Sequence, residues 1–273
     1  MTSVKTGKKP SFSFSRKQLC IPYAVFLLCF VIFPLFLIVY YAFTAKDGSF
    51  TFDNFVWFFS NSASVKNLFM SILIGLITTA ACLLIGYPVA YVLSRIKSHR
   101  KTILLLLFIM PMWINFVLRA LAMKELMSLI GIFGKYDMLN VIIGMVYDYL
   151  PFMILPLYTT LIKMDKSLEE AAADLGAGSF RVFTNVTLPL SAAGIVSGIT
   201  MVFLPSMTCY VISDTFSNSK VTIIGKLIAN LFGQNSNWNY GSVVALILLV
   251  IMFACTLLTG GFSREENARG TNL

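Results

Sequence analysis

Residues 163–189 carry the run Ser167-Leu168-Glu169-Glu170-Ala171-Ala172-Ala173-Asp174-Leu175-Gly176 and, after nine further residues, Val186-Thr187-Leu188-Pro189. This polar stretch separates two long apolar runs, at 139–162 and 190–213. Ser167 and Glu170 stand three apart, the spacing of a capping box in which each side chain satisfies a free amide at the helix start. Glu169 and Glu170 then fall in the first turn, where the positive end of the helix favours acids. Ala171, Ala172 and Ala173 are strong helix formers without bulk, so a partner backbone can come close. Gly176 offers a C-terminal stop, and Ser179 is placed to cap a second short helix through Phe183. Pro189 marks the start of the next apolar run. A charged helix-turn-helix in this position is shaped to dock a partner on one membrane face.

The surrounding chain suits a bilayer. Of 273 residues, 58% are hydrophobic and 12% charged, with a mean hydropathy of +0.82. Soluble domains carry roughly a quarter charged residues. A hydrocarbon core of about 30 Å needs about 20 apolar helical residues. Six runs meet or approach this, at 20–43, 67–94, 102–118, 139–162, 190–213 and 241–262. The run at 102–118 is the shortest, and it extends past Arg119 if that side chain snorkels toward the headgroups. The expected fold is all-α and polytopic, with six transmembrane helices. One transmembrane domain covers 20–262, between tails at 1–19 and 263–273.

The net charge of +9 is mostly an orientation signal. Lys5, Lys8, Lys9, Arg16, Lys17, Arg95, Lys97, Arg100, Lys101, Lys163, Lys166, Arg181, Arg264 and Arg269 all fall on one side of the six runs, 14 of the 21 basic residues. That excess places both termini and the 163–189 loop in the cytoplasm. It also removes the case for nucleic acid as a partner. The first run is about 24 residues long, and Phe43 spoils a small-residue cleavage site ending at Ala45, so an uncleaved anchor is expected. The five cysteines, 20, 29, 82, 209 and 255, have no metal-site or CxxC spacing, and imply no disulfide framework.

The connections differ in character. Lys46-Asp47-Gly48 signals a turn, and the aromatic run from Phe52 to Phe59, with Trp57, reads as an interfacial belt. Between Arg119 and Met138 apolar and polar residues alternate as in a short helix lying at the membrane surface. Gln234-Asn235-Ser236-Asn237 is polar and loop-like. Pro34, Pro88, Pro111, Pro151, Pro156 and Pro205 cut the spans, either as packing kinks or, at Pro151, Pro156 and Pro205, as hinges.

Catalytic chemistry is missing from the sequence. Gly131-Ile132-Phe133-Gly134-Lys135 is too short for a phosphate loop. His99, the single histidine, sits among basic residues. No metal-ligand or acid-base cluster is legible, so neither a metal nor a bound cofactor is expected. Any ATP must be handled by another chain.

The spacing from Glu170-Ala171-Ala172 through Gly176 to Leu188-Pro189 resembles the coupling loop of type I ABC-importer permeases, the MetI-like family. That resemblance implies a five-helix core preceded by an extra helix. It further implies a loop, through Glu170, Ala171, Ala172, Gly176, Leu188 and Pro189, that inserts into a groove on an ATP-binding subunit. Pro111-Met112-Trp113-Ile114-Asn115, Arg119, Leu150-Pro151-Phe152-Met153 and Leu155-Pro156-Leu157-Tyr158 look like the spermidine/putrescine permeases. So do Leu204-Pro205-Ser206-Met207, Tyr210-Val211, Ser213-Asp214 and Ile224-Gly225. The likeness runs over roughly 65–260 and is to the B-type subunit. The partners it implies are a C-type permease, two ATP-binding subunits that use ATP and Mg, an extracytoplasmic polyamine-binding protein, and the lipid of a bacterial plasma membrane.

Asp148 stands out within the fourth run. A carboxylate at mid-bilayer costs about 2.5–3.5 kcal/mol, so it should face a partner or an aqueous path. Tyr147 and Tyr149 flank it, although neighbours on a helix point about 100° apart. A carboxylate with aromatic faces suits an organic ammonium. Counted from Asn140, Asp148 is only about two turns deep, so a pathway role and a place near the outer surface both stand. Polyamine permeases more often have an apolar residue here. By resemblance, Trp113, Tyr158, Tyr210 and Asp214 join Tyr147 and Asp148 as candidate pathway residues. A permease for another small solute is the rival within the class, and a secondary transporter or channel the rival outside it. The latter predicts inverted repeats, and none is found.

Overall fold

A computed structural model describes residues 20–96, 100–233 and 237–270, with side chains over 21–96, 103–233 and 237–257. Expectations for the tail at 1–19, for His99 and for Gln234-Asn235-Ser236 fall outside the described residues. The described chain is helical apart from its connections and one isolated bridge between Thr44 and Phe50. In order the helices are α1 (Ile21–Ala42), α2 (Asp53–Ser60), α3 (Ser62–Arg95), α4 (Arg100–Ile109), α5 (Phe116–Leu129) and α6 (Asp137–Leu161). They continue as α7 (Ser167–Asp174), α8 (Ser179–Leu190), α9 (Ala192–Thr208), α10 (Tyr210–Ser217), α11 (Ile224–Phe232) and α12 (Trp238–Gly270).

Four of these, α1, α3, α6 and α12, are each long and apolar enough to cross a membrane, and there are six spans if each of two bent pairs counts as one. The first bent pair corrects the run expected at 102–118. Its helix ends in a 3-10 turn at Met110–Trp113, and α5 departs at 101°. Pro111 lacks the amide that would continue the ladder, and Asn115 starts a new helix by accepting from the amides of Val117 and Leu118, at 2.9 and 3.4 Å. The expected surface helix after Arg119 therefore begins earlier, at Phe116. The second bent pair is α8 and α9, at 64°, so the run expected at 190–213 divides at Ser191 and again at Cys209.

Prolines also leave a finer trace. Two π-turns, Leu28–Ile32 and Phe183–Thr187, each end two residues before a proline, Pro34 and Pro189. A proline frees the carbonyl four residues back, and a wider turn accommodates that loss. Pro88, Pro151 and Pro156 lie inside α3 and α6 without ending them.

α6 is the centre of the molecule, with α3 and α9 packed most extensively against it and against each other. Small residues permit the approach, as in other membrane bundles. A Cβ added to Gly86 of α3 would meet Met153 at 3.1 Å, and one on Gly198 of α9 would meet its sulfur at 2.5 Å. α1 is peripheral, packing on α12, and Ala42 alone of its residues is buried. Its last carbonyls are satisfied from elsewhere in the chain. Asn54 donates to Ala42 and Thr44, at 3.1 and 3.0 Å, and Asn239 donates to Tyr41 at 3.2 Å.

Candidate functional site

Two places bring the chemistry together: the 163–189 hairpin at one end of the spans, and a cleft beside the break in the third. In the hairpin, α7 ends as expected. Gly176 has φ +85°, its amide bonds to Ala173 O at 2.9 Å, and Ala177 N reaches Ala172 O at 3.1 Å. These are the two bonds of a Schellman motif, which needs a left-handed residue and so favours glycine. The start of α7 corrects the expected capping box. Asp165, and neither Ser167 nor Glu170, supplies the acceptor, taking the Ser167 amide at 2.9 Å. That backbone hydrogen bond holds the Asp165 carboxyl below its ordinary value. Ser179 likewise is the first residue of α8 and not its cap, because Gly178 precedes it in extended geometry.

Sequence reasoning placed Glu169 in the first turn of α7 but gave it no partner. Its Oε1 pairs with the Arg95 guanidinium at the end of α3 and accepts the Thr187 hydroxyl at 2.7 Å. Phe183 sets its ring edge-on to both Tyr87 and Tyr91, and the Tyr87 hydroxyl meets Ser191 Oγ at 2.9 Å. The hairpin is thereby fastened to α3. Its outer face is apolar and open: Leu175 is 89% and Phe180 78% exposed. Glu170, Ala171, Gly176, Leu188 and Pro189 are exposed and Ala172 half-buried.

The cleft, about 490 Å³, is lined by Met112–Phe116, Arg119, Asp148, Tyr149, Phe152, Cys209 and Ile212. Asp148 begins about 16 Å along a helix about 37 Å long, taking 1.5 Å per residue, so it is no surface residue of α6. Its side chain is 3% exposed. Arg119 Nε donates to its Oδ1 at 2.5 Å, Nη2 to its carbonyl at 3.4 Å, and Nη1 to Pro111 O at 2.8 Å. Arg119 is 7% exposed, which corrects the idea that it snorkels. Through it, the third span, α5 and α6 are joined at one point. An acid in mid-span demands a counter-charge, and Arg119 stood at the edge of the third run; that was the available signal.

Of the other candidates, Trp113 is 79% exposed on the cleft rim. Tyr147 turns its ring to Arg119, 5.8 Å from the guanidinium carbon, without lining the cleft. Tyr158 is packed into the core at 7% exposure. Tyr210 and Asp214 are on α10, off the cleft wall, and Asp214 pairs with Lys226 at 2.7 Å. The structure thus brings Trp113 and Asp148 together and leaves Tyr147, Tyr158, Tyr210 and Asp214 outside. Among the described residues no group of three or more His, Cys, Asp or Glu side chains is arranged to hold a metal ion.

Comparison with known proteins agrees with this architecture. A family model described as binding-protein-dependent transport system inner membrane component matches residues 82–262. The spermidine/putrescine transport system permease protein PotB of Haemophilus influenzae is 37% identical, over 83% of this chain and 86% of that one. PotB of Escherichia coli strain K12 is 32% identical, over 89% and 96%. Among solved structures, a bacterial ABC transporter involved in the import of the acidic polysaccharide alginate aligns with a TM-score of 0.70 at 18% identity, over 91% of this chain and 94% of that one. The methionine transporter MetNI, in an inward-facing conformation, aligns with a TM-score of 0.57 at 16% identity, over 74% and 95%. At such identities the structures speak for the fold alone.

Proposed function

The chain belongs to the family of binding-protein-dependent transport system inner membrane components, and from that premise we propose that it is the B-type permease subunit of an ATP-driven polyamine importer. The observation that carries the coupling half of this reading is the hairpin, which presents Leu175 and Phe180 outward while Glu169 pins it to α3. The substrate half rests on the relatives, both named for spermidine and putrescine.

In this reading both termini and the hairpin face the cytoplasm. A C-type permease completes the pathway, an extracytoplasmic binding protein delivers the polyamine, and two ATP-binding subunits hold ATP and Mg. This chain performs no chemistry of its own and binds no cofactor. Glu170, Ala171, Ala172, Gly176, Leu188 and Pro189 form the surface that seats on the ATPase. When the ATPases close, the hairpin moves with them. The Thr187 bond ties the two arms of the hairpin to the Glu169 carboxylate, the Glu169–Arg95 pair transmits the movement to α3, and the bend at Ser191 transmits it to α9. Both helices pack on α6, so the cleft beside α6 changes with them. Contacts that differ between open and closed ATPase states supply the coupling free energy.

The test is ATP-driven uptake of radiolabelled spermidine by proteoliposomes holding the assembled complex, with putrescine, an amino acid and a small anion as competitors. Saturable uptake that putrescine alone competes with supports the reading. ATP hydrolysis without spermidine uptake discards the polyamine and retains the permease. Gradient-driven flux from this chain alone contradicts the ATP-coupled assignment.

A further inference from the structure

Asp148 has only half of its carboxylate satisfied. Oδ1 accepts Arg119 Nε at 2.5 Å, whereas Oδ2 is closed off from solvent and has no hydrogen-bond donor among the described residues. An ionised carboxylate offers about four lone-pair sites, and a buried one left without donors is unfavourable. A donor therefore belongs at Oδ2. Asp148 is part of the wall of the cleft, whose volume of about 490 Å³ lies in the range of small-ligand sites, about 300–1,000 Å³.

The chemistry of that donor is narrowed by what surrounds it. With Oδ1 taken, a planar guanidinium fork has no second oxygen to grip, whereas a compact ammonium needs only one. A metal ion is disfavoured because no cluster of three or more ligating side chains exists among the described residues. Trp113, Tyr149 and Phe152 give the cleft aromatic side chains, which suit an alkyl chain and the cation it carries. Arg119 need not depart to admit a second cation. Pro111 O takes its Nη1, the Asp148 carbonyl takes its Nη2, and the Tyr147 ring faces it at 5.8 Å.

We propose that Asp148 Oδ2 is the subsite for a terminal ammonium group of the transported amine, with Arg119 retaining Oδ1 and Trp113, Tyr149 and Phe152 enclosing the alkyl chain. This rests on the polyamine reading above and assigns its contact in this chain. Because Oδ2 is closed in this structure, admission requires the wall to part.

Cys209, partly exposed on the same wall, is a native reporter. In the assembled complex, spermidine uptake kinetics are measured beside the rate at which 2-aminoethyl methanethiosulfonate labels Cys209, located by peptide mass spectrometry. The native complex is expected to saturate, with spermidine slowing the labelling of Cys209. Asp148→Asn should raise KM about tenfold or more, leave the maximal rate within about threefold, and move protection to the same higher concentration. Asp148→Glu should recover part of the loss. The double change Arg119→Met with Asp148→Leu leaves no lone buried charge and should raise KM likewise, so it decides the matter where Asp148→Asn fails to assemble. Native KM and native protection in the double variant overturn the subsite while leaving the polyamine reading intact. Absence of spermidine uptake by the native complex overturns the polyamine reading itself.

Discussion

Arg119 and Asp148 stabilise each other only as a pair. Arg119→Met alone strands a buried carboxylate, and breaking such a pair costs about 3–5 kcal/mol. Replacing both residues by apolar ones is expected to be close to neutral. Thermal melting of the purified complex in detergent should show the single variant well below the native protein and the double variant near it. Equal losses would mean that the pair is not what holds α5 to α6. Two glycines make a second contrast. Gly176 has φ +85° but open space around it, so Gly176→Ala should cost about 1–2 kcal/mol and still assemble. A Cβ on Gly225 would lie 2.0 Å from the Thr208 carbonyl oxygen, a backbone atom with no rotamer to yield, so Gly225→Ala should lower the yield of assembled complex severely. Gly176 was legible in the sequence because a helix end calls for a left-handed residue. The Arg95–Glu169 contact was not, since 74 residues separate the partners, and for Arg119–Asp148, 29 residues apart, the one signal was that a mid-span acid demands a counter-charge.

Among the elements, the bent third span and the hairpin respond to different tests. Asn115→Ala removes the acceptor that starts α5 and should cost about 1 kcal/mol. Amide exchange over residues 116–120 should quicken, with α6 unaffected. In the hairpin, the Ser167 amide keeps the Asp165 carboxyl below its ordinary value. The stability this gives α7 is complete above the ordinary carboxylate range and is lost as pH falls through the lowered value. Protection of the α7 amides should therefore decline on acidification in the native chain, and should be flat in Asp165→Asn, whose amide oxygen keeps an acceptor that does not titrate. Equal pH dependence in both would remove Asp165 from the helix start. The sequence marked where these elements lie, because apolar run lengths and turn residues are local. It misplaced the caps by one or two residues, since Asp165 and Gly178 compete with Ser167 and Ser179 for the same positions. It also ran the third span through Pro111 to 118 as one kinked run, because composition does not record the angle at which a chain leaves a proline.

In the coupling we propose for the whole molecule, a hairpin fastened to α3 and α9 converts the movement of an ATPase into a change at the cleft. Six apolar runs and the Glu170-Ala171-Ala172 to Pro189 spacing were enough to foresee the architecture, since a bilayer permits little besides helices. The pathway was harder to foresee. Tyr158, a candidate by sequence, is packed into the core, whereas Tyr149, Phe152 and Cys209 line the cleft. Which face of a helix looks inward depends on its neighbours. The most direct measurement is ATP hydrolysis and spermidine uptake together, in proteoliposomes of the assembled complex, comparing the native chain with Glu169→Gln and with Glu170→Ala plus Gly176→Trp. Glu169→Gln should keep ATP hydrolysis while uptake falls about tenfold or more, and the double change on the seating surface should abolish both. Native uptake in all three complexes would contradict that coupling.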